Sequence, residues 1–230
     1  MPRIHVIIPA YNEEHSIQKV IREIPRNLVT EVVVVDNNSK DKTAEASRTA
    51  GATVLFQPLQ GYGNACLKGL EYLQQKPATE KPGIVVFLDG DYSDYPEKMP
   101  ELIQPILENR ADLVIGSRAL GNREAGSMTI PQVFGNWLAT KLLKIFYQVQ
   151  FTDLGPFRAI RYDSLVKLNM QDQTYGWTVE MQLKAAKQKL RCTEVAVPYR
   201  KRIGYSKISG TVKGTVLAGY KILYTIFRYR

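Results

Sequence analysis

Five short runs of this chain are apolar at nearly every successive position. They are Ile4-His5-Val6-Ile7-Ile8, Glu31-Val32-Val33-Val34-Val35-Asp36, Thr53-Val54-Leu55-Phe56, Ile84-Val85-Val86-Phe87-Leu88 and Asp112-Leu113-Val114-Ile115-Gly116. Runs of that length without polar alternation suit strands covered on both faces. Between them the apolar spacing turns helical. Ile17, Val20, Ile21 and Ile24 precede Pro25. Leu67, Leu70 and Leu73 follow Gly61-Tyr62-Gly63-Asn64, and Met99, Leu102, Ile103, Ile106 and Leu107 form a third set. Asp41 is placed to cap a helix running to Ala50. Strand and helix alternate to about residue 118. Parallel neighbours need a crossover, so the pattern predicts an α/β fold: a mostly parallel sheet with helices on both faces.

The fourth run ends at Asp89-Gly90-Asp91. Ligands of open α/β sheets bind at the carboxyl ends of the strands. Two carboxylates on a sharp turn there offer hard oxygen ligands, suited to Mg²⁺ or Mn²⁺ that also holds a substrate phosphate. A plain surface turn would also favour Asp and Gly at these positions.

Beyond Arg118 the rhythm changes. Ala119 to Thr129 is polar and glycine-containing and reads as a mobile loop. A helix is expected from Val133 to Gln148, then a turn through Phe151–Ala159 into a strand. A helix from Gly176-Trp177 and a late strand at Val195-Ala196-Val197-Pro198 follow. From Thr211 to Arg230, Val212, Val216, Leu217, Tyr220, Leu223, Tyr224 and Phe227 share a broad helical arc with Lys213, Lys221 and Arg228 at its margin. Such a helix suits a membrane interface, or alternatively the protein core or a second subunit.

At 230 residues and 44% hydrophobic, the chain can bury a sizeable core. Cys66 and Cys192 are too few and too distant for a disulfide framework or a zinc pattern, which suggests a reducing compartment. Met1 to His5 runs into a strand without a signal peptide, and no apolar stretch reaches membrane-spanning length. The net charge is +9. Arg200, Lys201, Arg202, Lys207, Lys213, Lys221, Arg228 and Arg230 supply eight of those charges, and no acidic residue follows Val195. This asymmetry suggests an anionic partner such as a membrane surface or a phosphate. No arrangement of aromatic and basic residues marks a nucleic-acid motif.

In this order the motifs resemble family 2 glycosyltransferases of the GT-A fold, and among them the dolichyl-phosphate mannose synthase group. The matching pieces are Val6 to Glu14, Val33 to Thr43, Gly61 to Ala65, Leu88 to Asp91, Gly116 to Arg118, Thr152 to Arg158 and Arg202 to Lys207. The resemblance implies a Rossmann-like GT-A domain over residues 1–210, with a nucleotide-sugar half (1–118) and an acceptor half (119–210), and an amphipathic helix over 211–230. It implies a nucleotide-sugar donor of GDP-mannose or UDP-glucose type. Pro9, Tyr11, Glu13, Asp36 and Gly63 would line the nucleotide site, Asp89 would contact nucleotide or metal, and Asp91 would hold the metal. Asp153 would be the acceptor-side acid. Arg118, Arg158, Arg202 and Lys207 would face phosphate. Glu180 would face the acceptor pocket, or else be an exposed helix residue. The expected reaction inverts the sugar through an oxocarbenium-like state.

A sugar-hydroxyl acceptor needs a general base, whereas a lipid phosphate is already anionic. The basic tail favours a polyprenyl phosphate, with the protein peripheral on the cytoplasmic face of a membrane. Leu154-Gly155-Pro156-Phe157-Arg158 departs from the Ser-Gly-Phe-Arg of close mannose synthases. Two rival readings are a nucleotidyltransferase and a non-catalytic nucleotide-sugar module. The first lacks its glycine-rich basic loop after strand one, and the intact Asp89/Asp91 pair counts against the second.

Overall fold

The computed structural model describes residues 1–205 and 212–229 of the chain. Its first half realises the predicted alternation: β1 (Ile4–Ala10), α1 (Ile17–Glu23), β2 (Glu31–Asp36), α2 (Thr43–Thr49), β3 (Thr53–Phe56), α3 (Tyr62–Gln75), β4 (Ile84–Phe87), α4 (Met99–Leu107) and β5 (Leu113–Ser117). The second half adds α5 (Ile130–Tyr147), β6 (Arg158–Arg161), α6 (Tyr162–Leu168), α7 (Trp177–Lys187), β7 (Cys192–Ala196) and α8 (Val212–Arg228). The seven strands of the described residues join one sheet in the order β3-β2-β1-β4-β6-β5-β7. β6 alone runs antiparallel, wedged between β4 and β5. β1, β2, β4 and β5 bury both faces, whereas the edge strands β3 and β7 are only partly covered. Ile7, Val33, Val85 and Phe87 point into the layer under α3, α5 and α7, while Val6, Ile8, Val34 and Val86 point toward α1 and α4. The expected fold class is observed.

The order of strands positions the site. β1 leads outward through β2 to β3, whereas β4 lies on its other side. The β1–β4 ladder ends at Ile7 and Phe87, so the two chains part beyond it and open a crevice at this switch point. Pro9 needs no amide partner there.

Elsewhere the structure departs from expectation. Ala119–Thr129 is stitched to the segment after β7: Tyr199 N–H donates to Asn122 O (2.9 Å), Glu124 N–H to Tyr199 O (2.9 Å) and Lys201 N–H to Glu124 Oε2 (2.9 Å). The helix expected from Val133 starts earlier, at Ile130, because Thr129 and Gln132 form a reciprocal capping box. The late strand lies nearer the N-terminus than Val195–Pro198 and ends at Ala196.

α8 is both docked and exposed. Thr225 and Ile226 are buried against the body, and Tyr147 donates its hydroxyl to Ile226 O (2.7 Å). Lys221 pairs with Asp172 (3.1 Å), and Tyr229 donates to Glu180 (2.8 Å). The opposite face leaves Val216, Leu217, Tyr220, Tyr224 and Phe227 in solvent, beside exposed Ile130, Phe134 and Trp137 of α5. Contact between the Phe146 and Phe227 rings (5.6 Å) joins the two helices. Among the described residues no helix is long and apolar enough to cross a membrane.

Candidate active site

Two of the sequence motifs brace each other at the mouth of the crevice. Asn12 N–H donates to Ser39 Oγ (3.0 Å) and Lys40 N–H to Asn12 Oδ1 (2.8 Å). Glu13 N–H donates to Thr43 Oγ1 (2.7 Å), Glu14 N–H to Asp41 Oδ2 (3.2 Å) and Lys42 N–H to Glu14 Oε2 (3.0 Å). These bonds clamp the β1–α1 loop to the β2–α2 loop. Asp41 also accepts from Thr43 N–H (3.0 Å) in a local turn, but the N-cap of α2 is Lys42, one residue later than expected, with no side-chain cap bond.

The brace frames a cavity of about 240 Å³ lined by Pro9, Tyr11, Glu13, Asn37, Asp89 and Asp91, among others. Pro9, Tyr11, Glu13, Asp89, Asp91 and Arg202 of the expected set therefore meet there. Asp36 and Gly63 do not line it. Asp36 accepts from Ser39 N–H (3.1 Å) and shapes the turn, while the lining residue is its neighbour Asn37, whose Oδ1 accepts from Gly61 N–H (2.7 Å).

Gly63 serves a close approach of two backbones. A Cβ there would lie 1.9 Å from Asp172 O. The bare glycine lets Gly63 and Asn64 N–H donate to Thr174 O (3.1 Å) and Gln173 O (2.9 Å). The 171–176 loop so held carries Tyr175 into the cavity wall. Its other end is fixed by Asp172, which accepts from Thr174 and Gly176 N–H (2.8 and 3.0 Å) and pairs with Lys221 of α8. Glu180 is neither exposed nor turned to the acceptor cavity. It is fully buried, accepting from Gln171 and Asp172 N–H (3.0 and 2.8 Å) and pairing with Lys184 (2.7 Å).

At the turn after β4, Asp91 is 3% exposed. Its Oδ1 accepts from Ser93 N–H (2.9 Å) and Ser93 Oγ (2.5 Å), and its Oδ2 meets the guanidinium of Arg202. Asp89 Oδ1 is buried without a hydrogen-bond partner. Burial raises the Asp89 pKa against the opposing charge of Arg202. An orphaned carboxylate oxygen beside a second carboxylate fits a divalent cation. Among the described residues no group of three or more His, Cys, Asp or Glu could hold a metal alone. The remaining ligands would come from phosphate and water, the usual arrangement for Mg²⁺.

Asp94, which the motif reading missed, lies just beyond. It is 2% exposed, and neither of its oxygens makes a hydrogen bond of ordinary geometry. Burial, reinforced by the charge of Asp89, lifts its pKa to about 7. The spacing Asp89, Asp91, Asp94 was the available signal.

On the acceptor side, Asp153 is 1% exposed and fully engaged. Arg118 donates to it from Nε (2.8 Å), Nη2 (2.7 Å) and the backbone N–H (2.7 Å). Burial opposes the Arg118 charge, but Asp153 more than offsets it and holds the guanidinium protonated above its usual range. Glu194 accepts from Thr152 and Asp153 N–H (2.9 and 3.2 Å), and Gln182 donates to Asp153 O (3.0 Å), fixing the turn. Asp153 thus orients Arg118.

Arg158 corrects an expectation. It is fully buried, donating to the carbonyls of Leu154 (3.0 Å), Gly155 (3.0 Å) and Thr178 (2.9 Å), and it does not line the cavity that holds Asp89 and Asp91. Burial brings its pKa down to about 10. Lys207 lies outside the described residues.

A second cavity, of about 280 Å³, shares Tyr62, Asp89, Tyr175 and Arg202 with the first. It passes Arg118 and Tyr199 and runs between α5 and α8 along Gly135, Leu154, Pro156, Ala218, Gly219 and Ile222.

The family described as Glycosyl transferase family 2 matches residues 5–168. An uncharacterized glycosyltransferase of Mycobacterium tuberculosis is 33% identical over 218 residues, 94% of each chain. An undecaprenyl-phosphate mannosyltransferase of Micrococcus luteus is 29% identical over 225 residues, 92% of this chain and 90% of that one. Among solved structures, glucosyl-3-phosphoglycerate synthase from Mycobacterium tuberculosis, crystallised with Mn²⁺, uridine diphosphate and phosphoglyceric acid, superposes with a TM-score of 0.77 at 21% identity. The match covers 99% of this chain and 78% of that one.

Proposed function

The chain belongs to glycosyl transferase family 2, and from that premise we propose that it carries a sugar from a nucleoside-diphosphate donor to a polyprenyl phosphate at a membrane surface. The observation that carries the acceptor half is the second cavity. It begins at Asp89 and Arg202, keeps a guanidinium at Arg118, and ends between two helices whose outer faces are apolar. A phosphate would sit at the charged end and an isoprenoid tail would leave along the apolar end. The mannosyltransferase relative, named for undecaprenyl phosphate, supports this class of acceptor.

Pro9, Tyr11, Glu13 and Asn37 would hold the nucleoside in the first cavity. Asp89 and Asp91 would hold Mg²⁺ or Mn²⁺, and the Mn²⁺ and UDP-glucose of a structural neighbour support that donor side. The cation, when bound, stabilises charge growing on the departing diphosphate. Arg118, oriented by Asp153, would fix the acceptor phosphate in line with the anomeric carbon. A phosphate oxygen forms the new bond to that carbon. The bond to the diphosphate breaks with its electron pair, and the configuration inverts. The acceptor is already anionic, so no proton has to be removed. This agrees with Asp153 being occupied by Arg118 rather than free to act as a base. The reading carries with it a peripheral location on the cytoplasmic face of a membrane.

The test is a donor panel of GDP-mannose and UDP-glucose with Mn²⁺ or Mg²⁺ and short polyprenyl phosphates. Lipid-linked sugar and released nucleoside diphosphate are expected. Transfer to a soluble sugar with none to lipid would remove the acceptor half.

A further inference from the structure

Two arginines line the cavities, Arg118 and Arg202. Arg118 is held in place by Asp153. Arg202 differs, because its partner is Asp91. Its backbone does not move freely. Ile203 N–H donates to Asp91 O (2.9 Å) and Arg200 N–H to Ser93 O (3.0 Å), so residues 200–203 lie along the 91–94 turn. Arg200 locks that strip. It donates to Tyr92 O (2.7 Å) and Asp94 O (3.1 Å), pairs with Glu23 (2.8 Å), and stacks on the Tyr92 and Tyr95 rings. The Arg202 side chain, 30% exposed, projects from this anchored strip and lines both cavities.

We propose that Arg202 is the resident counter-cation of Asp91, and that it gives up this carboxylate to an incoming divalent cation and passes to the phosphates that arrive with it. The inference rests on the metal reading of Asp89 and Asp91 given above. Two cations cannot share Asp91 Oδ2 without strong mutual repulsion, so Arg202 must leave when the site is filled. A metal ion arriving alone gives Arg202 nowhere to go. A metal ion arriving with a diphosphate supplies a new anionic partner within reach of the same side chain. Arg202 therefore weakens binding of the bare metal and strengthens binding of the nucleotide, and the two ligands are positively coupled through it.

The test measures Mn²⁺ binding to the nucleotide-free full chain by electron paramagnetic resonance, and GDP and UDP binding in saturating Mn²⁺ by calorimetry. Arg202→Met is expected to bind Mn²⁺ alone about tenfold more tightly than wild type and the nucleoside diphosphate about tenfold more weakly. Arg202→Lys keeps the charge, so its Mn²⁺ affinity should rise less than that of Arg202→Met. A role in packing alone would not move the two affinities in opposite directions. Unchanged or weaker Mn²⁺ binding by nucleotide-free Arg202→Met overturns the proposal while leaving the metal site intact. Mn²⁺ binding undiminished in Asp91→Asn overturns the metal reading, and this inference with it.

Discussion

Asp94 makes the stability of this protein fall as pH rises through a range where most carboxylates have stopped titrating. Its carboxyl is buried without hydrogen bonds of ordinary geometry, and burial lifts its pKa to about 7 from the ordinary 3.8. At low pH both folded and unfolded chains hold the proton. As pH rises past the unfolded value, the unfolded chain releases it while the folded chain keeps it, and stability declines until the folded group also ionises. At ~1.4 kcal/mol per unit, the decline between about pH 5 and pH 8 is roughly 3 kcal/mol. That is a large share of the 5–15 kcal/mol typical of a domain. Asp94→Asn removes the titration and leaves an uncharged group of the same shape. Urea unfolding of both proteins at intervals across this range measures the difference. The variant should gain on wild type by roughly 3 kcal/mol from the acid end to the alkaline end, whatever the offset between them at about pH 5. Parallel curves would refute the reasoning and mean that Asp94 is already ionised in the folded state.

Three other outcomes are expected. Asp153→Asn leaves Arg118 as a buried charge without its partner and should destabilise the fold by about 3–5 kcal/mol in chemical denaturation. Gly63→Ala places a Cβ where Asp172 O now sits, and should cost about 1–3 kcal/mol and weaken nucleotide binding as the 171–176 loop is pushed away. Replacing Phe134, Trp137 and Phe227 by Ser should reduce sedimentation with anionic vesicles at least severalfold while leaving nucleotide affinity in solution unchanged. Equal sedimentation would remove the membrane role of that face.

β1, β2, β4 and β5 were legible because they are covered on both sides and so read as unbroken apolar runs. β6 was harder. It has four residues, begins and ends with arginine, and earns its place only through pairing with β4 and β5 far away in sequence. Arg158 misled for a related reason. A guanidinium in a motif looks like a phosphate ligand, and nothing local shows that three carbonyls from two segments will surround it. Asp89 and Asp91 were found because a strand end with two acids has a local signature. Asp94 continues that run of acids, but nothing local shows that it is buried. The apolar arc of α8 was visible in the sequence, but the buried opposite face was not, because Thr225 and Ile226 find their cover only in the assembled fold.

The loop slung between α3 and α8 changes how the tail should be probed. Cutting the chain after residue 211 would do more than subtract an anchor. It would take Lys221 from Asp172 and Tyr229 from Glu180, and so loosen the wall that Tyr175 presents to the nucleotide. A truncated protein that lost donor binding would say nothing about lipid, whereas changes confined to the outward-facing rings keep the two questions apart.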